Sequence, residues 1–296
     1  MEKSWALVFG GGGGKGAYQI GAWKGLKEYG VDKKITAVAG TSVGALNTAL
    51  FVQGDLELAC KVWGLVDNSS ILVPDKAKYL EPLKRFELKR IITDGVFSNQ
   101  GLLSMLETHV DFAKISRSQL IAFATCSKMP ELKFMKMLKR QLEPTYFRLN
   151  GQKPEKIRSI LLASSAIPFI FDPVEIDGSP YVDGGTADNV PIRPLYDLGY
   201  RHFIVVNLDM YHRLPRNQFR DADIIEVMPA HTWTENIAGI LDFSPASIQA
   251  QIETGYNDTT LTLSSRFSRP DKPNYFKKLL QLLPGKKTFK SSRGSN

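Results

Sequence analysis

Gly40-Thr41-Ser42-Val43-Gly44 fits the pattern G-x-S-x-G, in which a serine on a sharp strand-to-helix turn presents its hydroxyl to a carbonyl carbon. The chemistry would be acyl transfer. The apolar run Ile35 to Ala39 stands before the pattern and the helical-type stretch Ala45 to Phe51 after it. Such a turn demands this context, and the small residues beside the serine suit a bend too sharp for bulk. A second feature could serve the same reaction. Five consecutive glycines, Gly10 to Gly14, followed by Lys15-Gly16, join the apolar run Trp5 to Phe9 to the stretch Ala17 to Tyr29, where Ala17, Ile20, Trp23 and Leu26 recur at helical spacing. As a mere turn so many glycines would be wasteful, because each loses more backbone entropy on folding than any other residue. Some group must approach that backbone closely.

Bare amides between a strand and a helix suit three chemistries. A nucleoside-triphosphate loop, G-x-x-x-x-G-K-[ST], would need Gly at position 9 and Ser or Thr at position 16, and the chain has Phe9 and Gly16. A dinucleotide fingerprint, G-x-G-x-x-G, is met by Gly11, Gly13 and Gly16, as any glycine run would meet it. The acidic residue it wants at the end of the second strand is replaced by Ala39-Gly40-Thr41. The third chemistry is an oxyanion hole, whose amides point at the charge that develops on a carbonyl oxygen. It needs a nucleophile nearby, and Ser42 supplies one if the two strands pair.

A serine hydroxyl also needs a base. The chain has four histidines, His109, His202, His212 and His231. His109 falls in a surface-helix pattern, His202 opens a strand, and His212 sits in a polar loop beside Arg213. All three read as surface or capping residues. His231 follows the apolar run Ile224 to Met228 and could reach the carboxyl ends of the strands, although its ordinary reading is the same. Asp183 competes with it in Tyr181-Val182-Asp183-Gly184-Gly185. It is a carboxylate at a strand end with two glycines behind it that let the backbone bend around a partner, and plain turn aspartates share that look. Residue types alone leave both bases open, and the chain order Ser42, Asp183, His231 also suits a triad esterase.

The elements that must position these groups follow from the hydrophobic pattern. Two strand–turn–helix units within the first 53 residues imply an α/β fold with a parallel sheet and helices on its faces. Residues 55–118 read as mainly helical, Leu120 to Thr125 as a buried strand, Leu132 to Arg148 as mixed, and Pro154 to Ala163 as a helix. Val174 to Ile176 and Tyr181 to Val182 form a hairpin around Asp177-Gly178, a strong turn pair. Phe203 to Leu208 and Ile224 to Met228 complete the sheet, and Pro245 to Leu263 closes it with a helix. The expected organisation is one α/β domain over residues 1–265 and a basic tail over 266–296.

Composition narrows the classes further. The chain has 296 residues, 43% apolar and 23% charged, which is ordinary for a globular protein and excludes disordered, collagenous and coiled-coil chains. Its two cysteines, Cys60 and Cys126, supply neither a disulfide framework nor a C-x-x-C metal pair. The net charge of +8 equals the excess of nine Lys or Arg over one Asp in residues 266–296. The body is therefore neutral and lacks the basic patch of a nucleic-acid reader. The uncharged run Ile35 to Gly54 is too polar for a membrane span, with Asn47, Thr48 and Gln53 inside it. No leader peptide is read at the N-terminus, and the expected location is cytoplasmic.

Taken in order, these motifs resemble the patatin-like phospholipases over about residues 5–265. Gly11-Gly12-Gly13-Gly14-Lys15-Gly16 is similar to the family's Gly-Gly-Gly-x-Arg/Lys-Gly oxyanion loop, Gly40 to Gly44 to its serine elbow, and Asp183-Gly184 to its Asp-Gly. Ala163-Ser164-Ser165-Ala166-Ile167-Pro168 is similar to the segment that leads to the aspartate. Gly10 and Gly14 lengthen the glycine run, and Thr125-Cys126 stands where Thr-Asp would be expected.

The resemblance implies a three-layer α/β/α fold with a mostly parallel central sheet. It also implies a phospholipase A or lysophospholipase-type hydrolase of lipid esters that needs no metal or organic cofactor. Ser42 would be the nucleophile and Asp183 its base, in a dyad without histidine. Gly11, Gly12, Gly13 and Gly14 would form the oxyanion hole, with Lys15, Gly40, Gly44 and Gly184 in support. A dead site used for lipid binding or scaffolding is the alternative from another class. Beyond the domain, Phe276, Leu279, Leu280 and Leu283 share one helical stripe opposite Lys277, Lys278 and Gln281. That pattern suits peripheral attachment to the inner face of a membrane through residues 275–293. A short helix packed on its own domain would show it too.

Overall fold

The computed structural model describes residues 4–74, 97–129, 142–230 and 241–270. Strand β1 (Trp5–Phe9) is buried along its whole length, as an unbroken apolar run requires when both sheet faces are covered. The glycine loop follows and leads into α1 (Ala17–Glu28). Strand β2 (Ile35–Thr41) runs into α2 (Val43–Gln53), so the uncharged Ile35 to Gly54 stretch is a strand and a helix. Among the described residues no helix is long and apolar enough to cross a membrane.

Between residues 55 and 118 lie α3 (Leu56–Leu65), the single turn α4 (Asn68–Ile71), α5 (Gln100–His109) and α6 (Phe112–Arg117). Periodicity did not indicate one addition, a two-residue antiparallel pair of β3 (Val73–Pro74) and β4 (Phe97–Ser98), which is too short to carry an alternating pattern. Among the described residues the remaining strands and α-helices are β5 (Ile121–Lys128), β6 (Pro144–Arg148), α7 (Pro154–Ser164), β7 (Val174–Ile176), β8 (Ser179–Asp183), α8 (Arg193–Asp197), β9 (His202–Val206), β10 (Asp223–Val227) and α9 (Pro245–Ser264). The β7–β8 turn holds Asp177 at φ 49° and Gly178 at φ 73°. Two successive left-handed residues are what a tight hairpin between right-twisted strands needs.

The eight-stranded sheet is mixed, and helices flank it. β10, β9, β1, β2 and β5 run parallel in that order, β6 and β8 pair antiparallel to β5, and β7 pairs antiparallel to β8. Alternate side chains of β1 serve opposite faces. Leu7 and Phe9 join the larger core beneath α1, α2, α3, α7 and α9, whereas Ala6 and Val8 join a smaller one beneath α8 and the loops around Val190 and Phe219. The result is three layers.

The register around β5 decides where the site forms. Phe123, Ala124 and Thr125 pair with β2 on one edge and with β6 on the other. At Cys126 the β6 edge continues to Thr145 while the opposite edge passes to Asp183 of β8. β8 therefore takes up the edge that β2 leaves. β2 ends with Thr41 opposite Thr125, β8 ends with Asp183 opposite Cys126, and the two chain ends meet.

The first residues read as tail pack on the domain. Arg266 bonds Asp223 at 2.9 Å, Arg269 meets Glu28 at 3.0 Å, and the Phe267 ring stands edge-on to Trp5. The stripe Phe276 to Leu283 lies outside the described residues, as does His231.

Candidate active site

Ser42 stands between β2 and α2 with φ 56° and ψ −129°, a conformation that costs a non-glycine residue about 1–3 kcal/mol. Its surroundings hold it there. The Ser42 N–H donates to Ser164 Oγ at 3.0 Å, and that hydroxyl donates to the Thr125 carbonyl at 2.6 Å. The two flanking glycines answer to close backbone approach. A β-carbon at Gly40 would stand 2.1 Å from the Gly44 carbonyl oxygen, and one at Gly44 would stand 2.2 Å from that of Phe9. The second contact presses the elbow against the end of β1, where the glycine loop begins.

That loop is pinned through its carbonyls. Gln19 Nε2 donates to the Gly10 carbonyl at 2.6 Å, Asn189 Nδ2 to that of Gly11 at 3.3 Å, and Asn47 Nδ2 to that of Gly16 at 2.9 Å. The Lys15 N–H takes the Gly12 carbonyl at 3.2 Å, and the Gln251 amide, turned to donate, reaches those of Gly14 and Lys15 at 3.0 Å. With the carbonyls held by protein, the N–H groups of Gly12, Gly13 and Gly14 meet no acceptor among the described residues. Gly11 departs from the expectation that four glycines donate. Its N–H is already spent on the Asn189 carbonyl at 3.0 Å, so Gly11 shapes the loop instead. Gly14 presses on the backbone of Asp242, while Gly12 and Gly13 line the same cleft as Ser42 and Lys15.

Asp183 is only 5% exposed. Burial lifts its carboxyl to about 6, against the opposing pull of hydrogen bonds from the Ser42 side chain and the Gly185 N–H. The latter measures 2.7 Å. A carboxylate with ordinary acidity would be a poor base at neutral pH, and desolvation corrects that. Gly184 is required behind it, since a β-carbon there would stand 2.3 Å from the Thr125 carbonyl. The neighbouring Cys126 thiol is fully buried, and desolvation, with the Asp183 charge beside it, pushes it well above its usual range. It stays protonated and inert. Cys60 and Cys126 are both free.

Ser42 lies on the boundary of two cavities. One is a cleft of mixed character, lined by Gly12, Gly13, Lys15, Asp183, Asp209 and His212 together with Ile167, Phe169 and Leu208. The other is an apolar slot along α2, walled by Val43, Leu46 and Leu50 and by Leu102 and Leu106 of α5. Asn47 and Trp63 also border the slot, but their polar atoms are spent on Gly16, Gln19 and each other, so the wall stays apolar.

Two histidines differ from their surface reading. His212 borders the cleft, because the loop after β9 folds over the carboxyl ends of the strands, and His109 borders the far part of the slot. Neither ring bonds Ser42 or Asp183 among the described residues. His202 keeps its ordinary place, 3.6 Å from Asp223 at the start of its strand. Sequence reasoning missed the amides that pin the loop. Gln19, Asn47 and Gln251 are polar residues on helix faces that are otherwise buried, and that mismatch was the available signal.

Comparison with known proteins bears on this arrangement. The family model described as Patatin-like phospholipase matches residues 7–196. The chain is 28% identical over 188 residues to the probable lipid hydrolase 463L of Invertebrate iridescent virus 6, covering 63% of this chain and 61% of that protein. It is 26% identical over 213 residues to the neuropathy target esterase sws of Drosophila melanogaster, covering 70% of this chain and 13% of that one. The chain thus spans less than two thirds of either relative. Its fold is similar to human GIVD cytosolic phospholipase A2, with a TM-score of 0.53 at 9% identity over 95% of this chain and 63% of that one. VipD from Legionella pneumophila is similar with a TM-score of 0.50 at 16% identity, over 90% and 67% of the two chains.

Proposed function

The chain belongs to the patatin-like phospholipase family, and from that premise we propose that it hydrolyses carboxylic esters of phospholipids or related lipids through Ser42 and Asp183. Ser42 Oγ attacks the ester carbonyl carbon while Asp183 accepts its proton. The N–H groups of Gly12 and Gly13 receive the oxyanion, and the positive end of α2 behind Ser42 favours the same charge. Asp183 returns the proton to the leaving alcohol. In the second half it takes a proton from water, which attacks the acyl-serine and releases the fatty acid.

One observation carries this reading: a strained serine bonded to a buried carboxylate poised near 6, beside a pinned loop in which the N–H groups of Gly12, Gly13 and Gly14 meet no acceptor among the described residues. The reading predicts that a fluorophosphonate probe labels Ser42 and no other residue, as read by tryptic mass spectrometry. A correctly folded protein that stays unlabelled would refute it.

The slot supplies the place for the acyl chain. Leu50 stands about 12 Å beyond Ser42 along α2 at 1.5 Å per residue, which is roughly ten carbons of an extended chain at about 1.2 Å per bond. Leu50→Trp should fill the slot part-way and shift the preferred p-nitrophenyl ester to a shorter acyl chain. A chain-length profile identical to that of the unaltered protein would move the acyl group elsewhere.

A further inference from the structure

Ile167, Pro168 and Phe169 line the cleft, and one residue of this segment breaks two rules at once. The Ile170 N–H donates to the Ile167 carbonyl at 3.1 Å, closing a turn with Pro168 second and Phe169 third. Phe169 has φ 68°. A turn of that form gives its third position to Gly or Asn, because any bulky side chain is strained there. Ile167 and Ile170 pack against the main core and Phe171 is buried within it, yet Phe169 is 46% exposed. The ring therefore gains little from the fold that strains it. In the loop whose Asp209 and His212 also line the cleft, Tyr211 is 66% exposed. Two exposed aromatics thus belong to segments that line the cleft holding Ser42.

We propose that Phe169, together with Tyr211, is an interfacial anchor that inserts into a lipid surface and seats the cleft mouth on it. This rests on the lipid-ester reading above, because such a substrate resides in a lipid phase and must leave it through this mouth. Aromatic rings favour the boundary between headgroups and acyl chains. A strained, exposed ring is a poor choice for folding and a good one for docking, and the site spends stability on it.

The experiment is co-sedimentation of the full-length protein with vesicles of phosphatidylcholine and phosphatidylglycerol, using Phe169→Gly, Phe169→Trp and Phe169→Gly with Tyr211→Ala. Glycine accepts φ 68° without strain, so Phe169→Gly should melt at or above the unaltered protein's temperature. Loss of one buried aromatic ring should weaken partitioning about tenfold. The double variant should weaken it further, and Phe169→Trp should match or exceed the unaltered protein. Unchanged partitioning of Phe169→Gly overturns the proposal, as does a change in oligomeric state by sedimentation velocity, which would make the rim a protein contact. Vesicle binding is read without turnover and Ser42 labelling without vesicles, so either reading can fail while the other stands.

Discussion

Ser42→Ala is expected to lower ester turnover by at least about 10⁴-fold, because the residue forms and loses the covalent bond in each half-reaction. Its effect on the fold should separate from its effect on catalysis. Alanine retains the strain at φ 56°, whereas glycine does not, so Ser42→Gly should be equally inactive yet more stable than Ser42→Ala by about 1 kcal/mol. Denaturant melts of the two variants beside turnover of a p-nitrophenyl ester read both quantities. Substantial turnover by either variant would move the nucleophile elsewhere. Removing the hydroxyl also removes one of the two hydrogen bonds that hold the Asp183 carboxyl down, so in Ser42→Ala that carboxyl should titrate higher still.

Asp183→Asn should abolish general-base catalysis, a loss of about 10²–10⁴-fold or more, and should make the protein more stable at neutral pH. The carboxyl titrates at about 6 in the folded state against 3.8 as its reference. Between those values the folded protein holds a proton that the unfolded chain has released, so stability falls as pH rises through the window and stays lower above it. About two pH units correspond to about 3 kcal/mol. The asparagine variant has no such penalty and keeps an oxygen for the Gly185 N–H. It should therefore melt higher than the unaltered protein at pH 7, and the difference should vanish near pH 4. In the unaltered protein kcat/KM should rise with pH through about 6, because only the ionised carboxylate accepts the serine proton. A pH-independent difference in melting, or near-normal turnover by Asp183→Asn, would remove Asp183 as the base. His212→Ala and His231→Ala test the histidine alternatives and should retain most activity.

Three features of the site were not visible in residue type and spacing. The expectation of four oxyanion glycines treated Gly11 to Gly14 alike, since nothing local distinguishes them. Asn189, far along the chain, spends the Gly11 N–H, and the Asp242 backbone packs against Gly14. His212 read as a loop residue because its loop is polar, and the fold of that loop over the strand ends brings it to the cleft. Phe169 drew no notice, because one phenylalanine beside a proline carries no sign that its φ is positive. For the glycines and His212 the deciding groups lie beyond the local window, whereas for Phe169 it is a backbone angle of its own turn.

What the chain spells out locally is considerable. The apolar run Trp5 to Phe9, the glycine loop, the elbow with Gly40 and Gly44, and the Asp177-Gly178 hairpin all follow from residue type and spacing. Backbone sterics and burial on a sheet are decided among near neighbours, and a β-carbon either fits or collides. The meeting of Ser42 with Asp183 depends on β8 taking over the edge of β5 where β2 leaves it, a register that no stretch of sequence contains. The basicity of Asp183, the tying of the loop carbonyls by Gln19, Asn47 and Gln251, and the slot beside Ser42 arise only when distant helices close over the sheet, because desolvation and hydrogen bonding belong to the packed whole.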